Sequence, residues 1–171
     1  MVIIGIDPGT ATTGYGVVDY TAGRLTHREH GTIRTPAGAS PAKRLQFIHE
    51  AAAELIEAHA PAVIAVEQLF FSRNTTSALA VGQARGVILL AAAQRGVDVV
   101  EYTPMQVKLA VTGEGGAGKA QVAFMVRALL SLDQTPRPDD AADALAIAVC
   151  HAHSETAAAR LGQVLRREGA R

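Results

Sequence analysis

The chain has 171 residues, the size of a single domain, and 49% of them are apolar, enough for a sizeable core. No run is long enough to span a bilayer and no basic-then-apolar leader opens the chain, so neither a membrane nor a secreted location is expected. The single cysteine, Cys150, excludes an internal disulfide and fits a reducing, cytoplasmic setting.

Sixteen basic and sixteen acidic residues cancel, which alone argues against a nucleic-acid partner. The balance changes if some acids carry metal. With four carboxylates set aside, twelve remain against sixteen bases, and the loaded protein repels phosphate less.

Met1–Gly9 (MVIIGIDPG) reads as a short buried strand that runs into Asp7 and is turned by Pro8-Gly9. A carboxylate at the end of such a strand is costly unless a cation, a hydrogen-bond network or a metal offsets it. Thr12–Tyr20 and Arg24–Thr35 read as two more strands, joined by the tight turn Ala22-Gly23. Three strands with short turns imply an antiparallel meander. Ser40-Pro41 starts a helix that Pro61 ends near Ala60. It is expected to bury Leu45, Ile48, Ala52, Leu55 and Ile56 and to expose Lys43, Arg44, Glu50, Glu54 and Glu57.

Ala62–Val66 (AVIAV) repeats the design of the first strand and is ended by Glu67. The loop through Arg73 leads to a helix over Thr75–Arg95 that is apolar nearly all round. Ala78, Gly82 and Gly86 recur every four residues there, so the helix is either buried or meets a second copy of the chain, and the second reading is preferred. Val97–Tyr102 reads as the last strand. Pro104 opens a short helix holding Val107 and Lys108, and Gly113–Gly118 reads as a mobile, glycine-rich loop. A helix over Lys119–Leu132 is expected to bury Val122, Met125, Val126 and Leu129. The final helix is expected over Asp139–His153. One domain over residues 1–155 and a partly disordered tail over residues 156–171 complete the reading.

Two apolar strands that both end in acid carry the chemistry. If the helix between them makes the usual crossover, the strands are parallel neighbours and Asp7 and Glu67 emerge side by side. Asp140 and Asp143 lie three residues apart near the start of the last helix, on one face. Four such carboxylates are stable together only with bound metal or retained protons, and hard oxygen ligands favour magnesium or manganese. Taken singly, each acid has a plainer explanation: a turn former, an ion-pair partner, a helix cap. Spacing does not choose between Asp139 and Asp140.

The motifs GIDPGT and TGYGVV within Gly5–Val18, VEQLFF at Val66–Phe71, SALAVGQARGV at Ser77–Val87, QVK at Gln106–Lys108, GKAQVAFMVRALL at Gly118–Leu130 and DAADALAIA at Asp140–Ala148 occur in the order found in one family. In these the chain resembles the RuvC family of bacterial Holliday junction resolvases, over almost its whole length. The resemblance implies an α/β, ribonuclease-H-like fold: a five-stranded mixed sheet, the first three strands antiparallel, flanked by helices. It implies a homodimer that nicks two opposed strands of a four-way DNA junction with two Mg2+ ions per site, Mn2+ being a possible substitute. It assigns the metal-binding acids to Asp7, Glu67, Asp140 and Asp143, and so favours Asp140 over Asp139. Lys108 and Lys119 match lysines that meet DNA, and Phe70 matches an aromatic beside unpaired bases. Arg73 in the adjacent loop is a candidate phosphate contact. The family also works with RuvA and RuvB.

The residues also admit rivals. A sugar-kinase or chaperone-like ATPase shares the Gly-Ile-Asp-x-Gly-Thr opening, but it needs two such lobes and leaves Asp140 and Asp143 unexplained. A ribonuclease-H-like nuclease for another nucleic acid differs only in substrate. His151, His153 and Cys150 are read as structural or, for the histidines, as helix C-terminal charges.

Overall fold

A computed structural model describes residues 1–68 and 75–168. The elements run β1 (Val2–Asp7), β2 (Thr12–Thr21), β3 (Arg24–Arg34), α1 (Pro41–His59), β4 (Val63–Glu67), α2 (Thr75–Gln94), β5 (Asp98–Tyr102), α3 (Pro104–Thr112), α4 (Lys119–Leu129) and α5 (Asp139–Glu168). They form one five-stranded sheet in the order β3-β2-β1-β4-β5. The first three strands are antiparallel, as the short turns require, whereas β4 and β5 are parallel to β1.

The unbroken apolar runs of β1 and β4 lie at the centre because both of their faces are covered. On one face Ile4, Ile6, Ile64 and Val66 pack against α1 and α2. On the other, Ile3, Val63 and Ala65 pack against α3, α4 and α5.

Capping chemistry sets the helix ends. Ser40 Oγ accepts from the Lys43 amide and Pro41 takes the first turn of α1. Ala60 closes the helix in a left-handed conformation, φ 43°. Thr103 and Gln106 form a reciprocal capping box at α3.

Ile48, Ala52 and Ile56 are buried as expected, but Leu45 and Leu55 are only half-buried, because α1 rests on the sheet along a narrower stripe that also takes in Ala53. Arg44 is not fully exposed: its guanidinium reaches Thr35 Oγ1 and the Ala39 carbonyl. In α2 one face, Ala84, Ile88, Ala91 and Ala92, is buried within the molecule. The opposite face leaves Leu79 66% and Leu90 50% exposed.

α4 stops at Leu129 rather than Leu132, where Ser131 turns left-handed (φ 52°). α5 does not end near His153 but continues to Glu168, since no proline after Ser154 stops it. No helix among the described residues is long and apolar enough to cross a membrane.

Candidate active site

Asp7 and Glu67 are the last residues of β1 and β4. The parallel ladder pairs Ile6 with Val66, so the two carboxylates leave adjacent strands at the same sheet edge. On the other side of β1, Asp7 is paired with Gly14 of β2. That glycine decides where α5 sits. A Cβ on Gly14 would fall 2.0 Å from the Asp140 carbonyl oxygen, and one on Gly5 would fall 2.0 Å from that of Ala144. Only bare backbone at these places lets α5 lie directly on β1 and β2. Its N-terminal end, with Asp140 and Asp143, is thereby brought beside Asp7.

A cleft of about 380 Å3 opens at this edge, lined by Asp7, Glu67, Lys108, Lys119 and Asp143. Burial pushes the Asp7 carboxyl up to about 7, with further pushes from Glu67, Asp143 and Asp140 that Lys119 only partly offsets. Glu67 is raised as well, by burial and by Asp143, against the lowering effect of Lys119 and Lys108. Lys119, at the first position of α4, donates from Nζ to Asp143 Oδ2 at 2.8 Å. That contact and the neighbouring acids hold its ammonium above the usual lysine range. Lys108 reaches the cleft from α3.

Asp140 and Asp139 separate spatially. Asp140 is half-buried and adds to the charge felt by Asp7. Asp139 is exposed, lines a neighbouring cavity and acts on Lys119; neither of the two lines the cleft itself.

Among the described residues no three acidic, histidine or cysteine side chains are drawn together into a ready-made metal cage. Asp7, Glu67 and Asp143 line the cleft without forming such a cage, and Asp140 stands off its lining. That is the arrangement mutual repulsion favours when one lysine is the main counter-charge. The donor set is all carboxylate oxygen, with no thiolate or imidazole lining the cleft, and three half-buried acids face two lysines. A hard divalent cation fits that set. A second groove of about 390 Å3, between α1 and β3, holds Tyr15, Glu29, Phe47 and His59. Its Glu29 is already taken up by Tyr15 and His59, so it offers no comparable charge cluster.

The turn after Asp7 is fastened by residues that sequence reasoning passed over. Buried Thr13 donates to the Gly9 carbonyl at 2.7 Å, and Thr35 donates to that of Thr10 at 2.8 Å. Both look like ordinary strand threonines in the sequence. His151 and His153 are structural, not terminal charges: His151 Nδ1 meets the Tyr102 hydroxyl at 2.8 Å, and His153 Nδ1 meets the Ala110 carbonyl at 2.9 Å. Cys150 is buried, its thiol pushed up to about 11. Phe70 and Arg73 lie outside the described residues.

A five-stranded mixed sheet whose central parallel strands and covering helix deliver acids to one cleft is the ribonuclease-H-like arrangement. Comparison with known proteins narrows the class. The family model for crossover junction endodeoxyribonuclease RuvC matches residues 3–151. The chain is 56% identical to the RuvC of Pelotomaculum thermopropionicum over 156 residues, covering 91% of this chain and 95% of that one. It is 59% identical to that of Moorella thermoacetica over 152 residues, covering 89% and 91%. The structure of Thermus thermophilus RuvC in complex with a Holliday junction substrate superposes with a TM-score of 0.86 at 42% identity, covering 95% of this chain and 96% of that one. A yeast mitochondrial Holliday junction resolvase shares the fold, with a TM-score of 0.66 at 15% identity. The chain belongs to the RuvC family of crossover junction endodeoxyribonucleases, and the kinase-like reading falls.

Proposed function

We propose that this protein resolves four-way DNA junctions by paired, symmetric nicks, with Asp7, Glu67, Asp140 and Asp143 forming the catalytic centre, in homologous recombination and DNA repair. The observation that carries the site is Asp7. Its carboxyl is held near 7 by burial and by the charges of Glu67, Asp143 and Asp140. A cluster so poorly neutralised by its own protein is built to receive positive charge.

The four acids would hold two divalent ions, magnesium in the first instance and manganese as a substitute. Such ions supply Lewis-acid stabilisation of the attacking and leaving oxygens in phosphodiester hydrolysis. The protein's own part is positioning. The β1–β4 ladder fixes Asp7 and Glu67, and the glycine contacts with α5 fix Asp140 and Asp143. Lys119, paired with Asp143, stands at the cleft where its ammonium can turn to a non-bridging phosphate oxygen. Lys108 provides a second cation beside Glu67. Phe70 and Arg73 remain proposed DNA contacts by family resemblance.

Preference for a junction over a duplex calls for two sites at a set separation. We assign the dimer contact to the helix around Ala78–Gly86, where α2 leaves Leu79 and Leu90 exposed. RuvA and RuvB are the proposed partners in the cell, the cytoplasm the proposed location, and residues 1–155 the nuclease domain.

The test is cleavage of a labelled immobile junction with magnesium, beside a linear duplex and an RNA–DNA hybrid. Paired symmetric nicks on the junction alone, abolished in Asp7→Asn, are expected. Binding without cutting in both magnesium and manganese would overturn the catalytic reading.

A further inference from the structure

Beside the catalytic cleft lies a larger cavity, about 620 Å3, between α4 and the segment that leads into α5. The two share a wall, the ion-paired Lys119 and Asp143. Three residues of α4 form one wall: Ala120, Ala123 and Phe124, spaced for a single helix face. The face that α4 buries is a different one, through Val122 and Val126. Phe124 therefore contributes little to the core, and the residue is 59% exposed. Thr135, Pro136 and Arg137, from the segment before α5, complete the lining and also border a smaller cavity beyond it. Among the described residues no carboxylate is ion-paired with Arg137, whereas Lys119 is already engaged by Asp143.

An exposed aromatic side chain, an arginine on the same lining, and a wall shared with the nuclease cleft together suit one kind of ligand. A nucleotide unit offers a flat base for the ring and a phosphate for the guanidinium. The volume is within the range of small-molecule sites and accommodates one nucleotide. Asp139 and Asp143 on the same lining disfavour a second phosphate.

We propose that this cavity is a flanking-nucleotide subsite: Phe124 stacks on an unpaired base next to the scissile phosphate, and Arg137 holds the phosphate attached to it. The subsite rests on the junction-cutting reading above. It would favour an opened crossover over an intact duplex, whose bases are not available to stack. It also ties the position of the cut strand to the acids through the wall shared at Lys119.

The test uses the full chain and junctions carrying a single abasic site, scanned through the positions around the cleavage point. Phe124→Ala is expected to weaken junction binding about tenfold, and Phe124→Trp to restore it. At one abasic position the penalty of Phe124→Ala should vanish, because the base it removes contact with is already gone. Arg137→Ala is expected to lose about tenfold on every junction, abasic ones included, and to lower the salt slope by about one charge. Both side chains are exposed, and circular dichroism checks that the variants fold. If Phe124→Ala binds and cuts like the wild type, or its penalty is the same at every abasic position, the subsite is refuted while wild-type cutting upholds the nuclease. If the wild type itself neither binds nor cuts a junction, both readings fall.

Discussion

Replacing Asp7 by Asn should make the metal-free protein more stable while abolishing its activity. A carboxyl moved from 3.8 to about 7 by folding carries a penalty of about 4 kcal/mol in its charged form. The raised value means that the folded state holds the proton more tightly than the unfolded one. Stability is therefore greatest below the unfolded value, and it is lost as pH rises through about 7. Asn keeps the shape and removes the charge. With a chelator present, we expect Asp7→Asn to gain about 2–4 kcal/mol in urea unfolding at about pH 8, part of the full figure being lost as the remaining acids relax. At about pH 5 the gain should shrink to about 1.5 kcal/mol or less, since the wild-type carboxyl is then largely protonated. Millimolar magnesium should raise the wild-type midpoint at about pH 8 and leave that of Asp7→Asn nearly unchanged. An Asn variant less stable than the wild type at about pH 8, or a gain independent of pH, would refute the claim that folding strains this carboxylate.

Other expectations follow from neighbouring geometry. Gly14→Ala places a methyl group against the Asp140 carbonyl, so α5 must shift; we expect a loss of about 1–3 kcal/mol and a far larger loss of junction cutting, read by unfolding and single-turnover cleavage. Burial lowers the His151 imidazole below its usual value, so the folded state disfavours the charged ring. Stability should be complete above about pH 6.5 and fall as the solution is acidified below it, and His151→Gln should flatten that limb of the urea-midpoint profile. Leu90→Arg, on the exposed face of α2, should yield a folded monomer by light scattering that no longer makes paired nicks.

The sequence makes half of the site visible and hides the rest for a definite reason. Asp7 and Glu67 stand out because each ends an unbroken apolar run, and such runs form central strands whose ends the ladder must bring together. Asp140 and Asp143 are ambiguous because acids at a helix start serve as caps on any protein. Only the placement of α5 makes them neighbours of Asp7, and that placement depends on Gly5 and Gly14. Those two are nine residues apart in sequence but lie on paired strands, so no local pattern reveals them. The end of α4 is hidden for a related reason: a left-handed serine leaves no sign in hydrophobic spacing. The outer face of α2 is readable as apolar, but which half of it the molecule uses itself becomes plain only once α1 is docked.

The contact of α5 with the sheet has a mechanical consequence. Most helices rest on side chains, which can change rotamer and let the helix drift by a fraction of an ångström. Where α5 passes Gly5 and Gly14, main chain meets main chain, with no compliant layer between. The joint acts as a hard stop. Strain from elsewhere in the core would be absorbed by the side-chain-padded helices, and the gap between the strand acids and the helix acids would hold its width.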